Sequence, residues 1–191
     1  VVPVIGVWVI IAIIAVLVIW MIAMYNGLIG LRNQVKNAWA QIDVQLKRRH
    51  DLIPNLVETV KGYMQHERGT LEAVTNARNL AQKAVGGGVG AQSKAETELS
   101  GALSRLLVVV ENYPDLKANQ NFLALQEELT STENKISFSR QYYNDTVLNY
   151  NNKIQMFPSN VMASMGGFKQ GEFFEVTVPA EKEAPKVSFA K

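Results

Sequence analysis

Between Val1 and Met24 there is no charged residue, and the first charge in the chain is Arg32. Apolar residues fill that stretch on every helical face. Such a pattern predicts a helix whose solvent is lipid. At about 1.5 Å per residue it would run roughly 36 Å, enough to cross a hydrocarbon core of about 30 Å. Pro3 falls where a missing N–H costs little. Trp20 and Tyr25 fall near the far end, where amphipathic rings favour the headgroup level. A cleaved signal peptide would be shorter, and Ala23-Met24-Tyr25 is a poor cleavage site. A helix lying along the surface would need a charged face, which is missing.

Beyond Tyr25 the pattern becomes amphipathic. Leu28, Leu31, Val35, Ala38, Ile42 and Leu46 recur at steps of three and four with no proline between them, so the run continues the membrane helix directly. Pro54 would break a helix interior, so a second helix is expected to start near Asp51 and reach about Val85, with Ile53, Leu56, Val60, Met64, Leu71 and Val74 as its stripe. Gly86-Gly87-Gly88-Val89-Gly90 is too rich in glycine to stay helical and marks a reversal. Ser93-Lys94-Ala95-Glu96 matches a capping box and is expected to open a third helix, with Leu99, Leu103, Leu106 and Val110 on one face. Asn112-Tyr113-Pro114-Asp115 ends it with turn chemistry. The fourth helix has the cleanest pattern: Phe122, Leu125, Leu129, Thr132, Ile136, Ser139, Tyr143, Val147, Tyr150, Ile154 and Phe157 form a heptad-like seam that Pro158 stops.

The expected fold is therefore all-α: one N-terminal transmembrane helix (1–25), then an antiparallel bundle or hairpin of about four long helices (26–158). After it come an apolar C-terminal segment (159–175) and a Pro-, Lys-, Glu- and Ala-rich tail (176–191) expected to be disordered. The apolar segment holds Met162, Met165, Phe168, Phe173 and Phe174, interrupted by Gly166 and Gly167. Two readings stand for it: packing along the bundle, or a docking patch for a partner or lipid.

Charge and composition narrow the chemistry. The net charge of +2 gives no basic face of the kind nucleic acid needs, so no nucleic-acid partner is expected. There is no cysteine, which removes disulfides, thiolate metal sites and a lipid-modified cysteine anchor. His50 and His66 are the two histidines, far apart in sequence, and no HExxH occurs. No catalytic site, cofactor or metal site is expected, and His50, Asp51 and Glu58 read as solvated polar positions. Glu127 and Glu128 are helix neighbours that point apart. The basic run Lys47-Arg48-Arg49 before His50 reads as a solvated face near a helix C-terminus, with contact to anionic lipid or an acidic partner as the functional alternative. Arg32, Lys36, Lys47, Arg48 and Arg49 outnumber Asp43 and Asp51, so the positive-inside rule places the soluble domain in the cytoplasm.

Several motifs resemble the LemA family. They are Tyr25-Asn26, Leu31-Arg32-Asn33, Ala38-Trp39 and above all the unbroken run from Gln41 through Arg48-Arg49-His50-Asp51-Leu52-Ile53-Pro54 to Val57. Tyr113-Pro114-Asp115-Leu116-Lys117, Leu125-Gln126-Glu127-Glu128-Leu129, Tyr143-Asn144, Phe157-Pro158-Ser159-Asn160 and Gly167-Phe168 extend the resemblance over nearly the whole chain outside the tail. The resemblance implies a bacterial membrane protein with a short N-terminal stub, one transmembrane helix, an antiparallel helical hairpin or bundle, and no enzyme activity. It also implies kinship with a magnetosome-membrane protein and with partners of membrane proteases.

The resulting expectation is a non-enzymatic scaffold in the bacterial inner membrane. It is expected to self-associate as a homo-oligomer and to organise or remodel the bilayer. The rival expectation is an adaptor or regulator of another membrane protein, such as a protease or sensor.

Overall fold

The computed structural model describes the backbone of residues 2–175 and the side chains of residues 6–175; the tail expected to be disordered, 176–191, lies outside the described residues. Among the described residues six helices follow one another: α1 (Val2–Lys61), α2 (Arg68–Ala84), α3 (Val89–Val110), α4 (Pro114–Lys117), α5 (Gln120–Gln155) and α6 (Ser159–Met165). The described residues contain no strand, so the fold is all-α as the periodicity predicts. Two compact units emerge. One combines the chain up to Asp43 with Phe138–Glu172; the other combines Val44–Ser137 with the segment from Phe173.

In the first unit, α1 and the second half of α5 run antiparallel. Leu28 packs with Tyr150 and Ile154, and further along α1 Trp39 meets Tyr143 edge-on, with ring centroids 5.3 Å apart. Before this hairpin begins, the described part of the apolar stretch of α1 is left unburied. After α6 the chain returns along α5 as an extended strap. Tyr150 Oη donates to Lys169 O at 2.8 Å and Tyr143 Oη donates to Glu172 O at 2.8 Å. Between them Asn151 closes a reciprocal pair with Gly171, its Nδ2 donating to Gly171 O at 3.0 Å and its Oδ1 accepting from Gly171 N at 2.8 Å.

The second unit is a four-helix bundle built from the end of α1, α2, α3 and the start of α5. Its core is Ile53, Leu56 and Val60 from α1, Leu71 and Val74 from α2, Leu99, Leu103 and Leu106 from α3, and Phe122 from α5. Burying a side chain of this kind is worth about 1.5–3 kcal/mol, and no single stripe could do so alone. The glycine reversal joins α2 to α3, with Gly86 at φ 82° and Gly88 at φ 98°, a region costly for any residue with a Cβ. Asn119 caps α5, its Oδ1 accepting from Phe122 N at 3.0 Å.

Two expected boundaries differ. No helix starts near Asp51: α1 runs straight through Pro54 and ends at Lys61. Proline removes the N–H that would bond the carbonyl four residues back, which is His50 O. Arg78 Nε from α2 donates to that carbonyl at 2.9 Å, so the interior proline leaves no orphaned acceptor there. Nor does Ser93 open α3. The helix begins a turn earlier, at Val89 after Gly88, and makes no side-chain cap. Ser93 Oγ instead donates to Glu175 O, and Glu96 turns into the bundle interior.

Candidate functional site

The least expected feature of the second unit is a buried ionic cluster at the middle of the bundle. Arg49 is 1% exposed, Glu96 3% and His50 4%. The periodicity explains why. Arg49 occupies the core position of α1 between Leu46 and Ile53, and Glu96 occupies the corresponding position of α3 ahead of Leu99. A charge can stay there only if it is paired and hydrogen-bonded.

The pairing is dense. Arg49 Nη1 donates to Ser100 Oγ at 2.8 Å and to Glu133 Oε2 at 2.7 Å. Its Nη2 donates to the Glu96 carboxylate. His50 Nε2 donates to the other Glu96 oxygen at 2.8 Å. Arg78 joins from α2 through the His50 carbonyl. One cluster thus ties α1 to α2, α3 and α5. Burial pushes the Glu96 carboxyl up, but the His50 hydrogen bond and the Arg49 and His50 charges outweigh it and hold Glu96 below the ordinary carboxylate value. Arg49 Nε and Gln45 Oε1 are buried without a hydrogen-bond partner among the described residues. A cavity of about 240 Å³ adjoins the cluster, with Leu56, Leu103 and Leu129 on its apolar side and Ser100 and Glu133 on its polar side.

The basic run therefore divides. Lys47 and Arg48 are exposed, and Arg48 pairs with Glu128 at 2.6 Å. Arg49 and His50 are not solvated, and the run lies inside α1 rather than at a helix end. This corrects the solvated-face reading: Arg49 is itself buried and committed to Glu96, Ser100 and Glu133, and so is unavailable to lipid or to an acidic protein. Asp51 and Glu58 are exposed. Among the described residues no three His, Asp or Glu side chains are grouped to hold a metal ion.

The apolar C-terminal residues also divide. Phe174 is 4% exposed, in the second unit, while Phe173 of the same unit is 40% exposed. In the first unit Met162 and Phe168 pack half-buried against the core of Leu28, Tyr150, Ile154 and Ala163. Phe168 meets Tyr25 edge-on, with centroids 5.6 Å apart, and the Arg32 guanidinium stands 5.2 Å over its ring. Met165 is open, at 76% exposure. The periodic signal that would have found the ionic cluster was present: a charged residue at a core position of two adjacent helices, opposite in sign.

The comparisons with known proteins agree with the motifs. The LemA family matches residues 38–189. Magnetosome protein MamQ 2 of Paramagnetospirillum magneticum is 26% identical over 175 residues, covering 79% of this chain and 64% of that protein. Protein LemA of Metamycoplasma hominis is 28% identical over 142 residues, covering 72% of this chain and 63% of that protein. Magnetosome protein MamQ of Magnetospirillum gryphiswaldense is 24% identical over 174 residues, covering 78% and 64%. The chain thus spans somewhat under two thirds of the length of these relatives. With its long apolar helix unburied and its family match covering most of the remaining sequence, the chain is a membrane-associated protein that belongs to the LemA family.

Proposed function

We propose that this chain is a non-enzymatic scaffold, anchored by a single transmembrane helix, whose helical part self-associates and organises the bacterial membrane. The observation that carries the reading is an outward aromatic pair on α5. Phe138 is 73% exposed and Tyr142 52% exposed, one helical turn apart on the same face. Aromatic side chains of this kind are enriched at protein interfaces. Anchoring in one plane raises the effective concentration of such faces, so weak lateral contacts accumulate. The relatives named as magnetosome proteins support a role tied to membrane organisation. The excess of Arg32 and Lys36 just past the span favours a cytoplasmic soluble part in the inner membrane.

Light scattering of the full-length chain in mild detergent tests this. A defined homo-oligomer that falls to monomer in the Phe138→Ala, Tyr142→Ala double variant is expected. A monomeric native chain overturns the scaffold, and a stoichiometric heteromeric partner recovered by crosslinking then transfers the reading to an adaptor of another membrane protein.

A further inference from the structure

The first unit ends in an exposed apolar tip beside the end of the membrane-crossing segment. Phe157 is 83% exposed, Met165 76%, Met156 62% and Val161 51%, all in the turn from α5 into α6 and on α6 itself. Such a group on the surface of a water-facing domain calls for a covering surface.

Its position is set by contacts within the unit. Tyr25, at the end of the apolar stretch, touches Phe168 just after α6. Leu28 shares a core with Ile154 at the end of α5 and Ala163 on α6. Leu28 is about 6 Å past Met24 along α1. The headgroup layer on each side of a hydrocarbon core is about 5–8 Å thick. The α5–α6 turn is therefore held at headgroup depth by the helix that spans the bilayer.

Charge points to the same occupant. Residues 26–35 and 150–171, the part of this unit nearest the span, contain Arg32, Lys153 and Lys169 and no Asp or Glu. All three cations are exposed. An apolar tip with Lys153 four residues before Phe157 and Lys169 four residues after Met165 fits the boundary between acyl chains and anionic headgroups.

We propose that the α5–α6 turn is a second membrane contact, with Phe157, Val161 and Met165 entering the headgroup–acyl boundary of an anionic phospholipid bilayer while Lys153 and Lys169 meet its phosphates. The tip thereby fixes the tilt of the unit over the membrane that α1 crosses. The inference rests on α1 spanning the bilayer and is independent of self-association.

The chain has no cysteine, so single cysteines place spin labels cleanly. The full chain, carrying Phe157→Cys, Met165→Cys or Asn37→Cys, is reconstituted into vesicles of phosphatidylcholine with or without phosphatidylglycerol. Asn37 is exposed and lies about 20 Å past Met24 along α1. Collision rates with oxygen and with a water-soluble nickel chelate then report depth. Labels at 157 and 165 are expected roughly 5–10 Å below the phosphate level, deeper with phosphatidylglycerol, while the label at 37 stays in water. The Lys153→Glu, Lys169→Glu background is expected to abolish the phosphatidylglycerol dependence without changing helicity. Labels at 157 and 165 as accessible to the nickel chelate as the one at 37 overturn the proposal. So do labels that are shielded from both reagents and broadened by a label on a second copy, which assigns the tip to a protein contact. A chain that fails to float with vesicles overturns the span and the proposal together, an outcome distinct from the other two.

Discussion

Arg78 Nε lies 2.9 Å from the carbonyl oxygen of His50, the acceptor that Pro54 leaves without its helical donor. A residue on α2 thus completes a hydrogen-bond ladder in α1. Arg78→Met is expected to destabilise the chain by about 1–3 kcal/mol, since a buried acceptor is left bare. In a Pro54→Ala background the backbone N–H of residue 54 can bond His50 O again, and the same substitution is expected to cost about 1 kcal/mol less. Thermal unfolding by circular dichroism reads the cycle; equal losses in both backgrounds show that the two residues are uncoupled.

Glu96 and Glu133 both pair with Arg49, yet their substitution is expected to differ. Glu96 is 3% exposed at its side chain and Glu133 51%. Glu96→Gln leaves a buried guanidinium short of its counter-charge and is expected to cost about 3–5 kcal/mol. Glu133→Gln removes a partner that water can replace and is expected to cost about 0–1 kcal/mol. Denaturant midpoints of the two variants decide it, and similar losses would show that water does not reach Glu133.

Acid stability follows from the same carboxylate. The Glu96 pKa is held below its ordinary value of 4.5 by His50 and Arg49, against the opposing effect of burial. A group depressed on folding stabilises the fold fully above its unfolded pKa, and that contribution is lost as pH falls through the folded one. Stability is therefore expected to fall with acidification below about pH 4.5, and Glu96→Gln is expected to flatten that fall. Melting temperatures of both proteins across this range provide the check.

Tyr143 gives the opposite limb. Burial first, and the Glu172 charge second, push its hydroxyl up to about 12. Its contribution is present below the unfolded value of 10 and lost as pH rises through the folded one. Tyrosinate absorbance is expected to show a late phase that Tyr143→Phe diminishes, Tyr113 and Tyr150 being pushed up by burial as well, together with a loss of about 1 kcal/mol at neutral pH for the hydrogen bond to Glu172 O. An undiminished late phase in Tyr143→Phe would assign it to the other tyrosines.

Much of the fold is legible because the decisive signals are local. An apolar stretch without charge can only be lipid-facing or buried, and the Phe122-to-Ile154 seam repeats too regularly to be a loop. The glycine reversal needs φ values that Gly86 and Gly88 supply. Pro54 misleads for a physical reason: its usual penalty is offset by Arg78, a residue that becomes a neighbour only once α2 has folded back. The Ser93–Glu96 capping signature misleads in the same way, because both side chains find better partners elsewhere in the bundle. Arg49 and His50 were hidden by the ordinary expectation that charged residues stay outside. Their membership of a core stripe was visible in the spacing, and the partner that makes it tolerable was not.

The strap from Lys169 to Glu172 is recognised through its peptide groups: α5 meets it with two tyrosine hydroxyls and one asparagine amide, all directed at main-chain atoms. The side chains of the strap are spectators to that recognition, except at Gly171, where a Cβ would come within 3.3 Å of Val147. The chain thus treats its own C-terminal segment as a groove treats a peptide of unspecified sequence. Gln170 and Glu172 can therefore change without disturbing that recognition, while the length of the strap, Gly171 and the three residues that read it cannot.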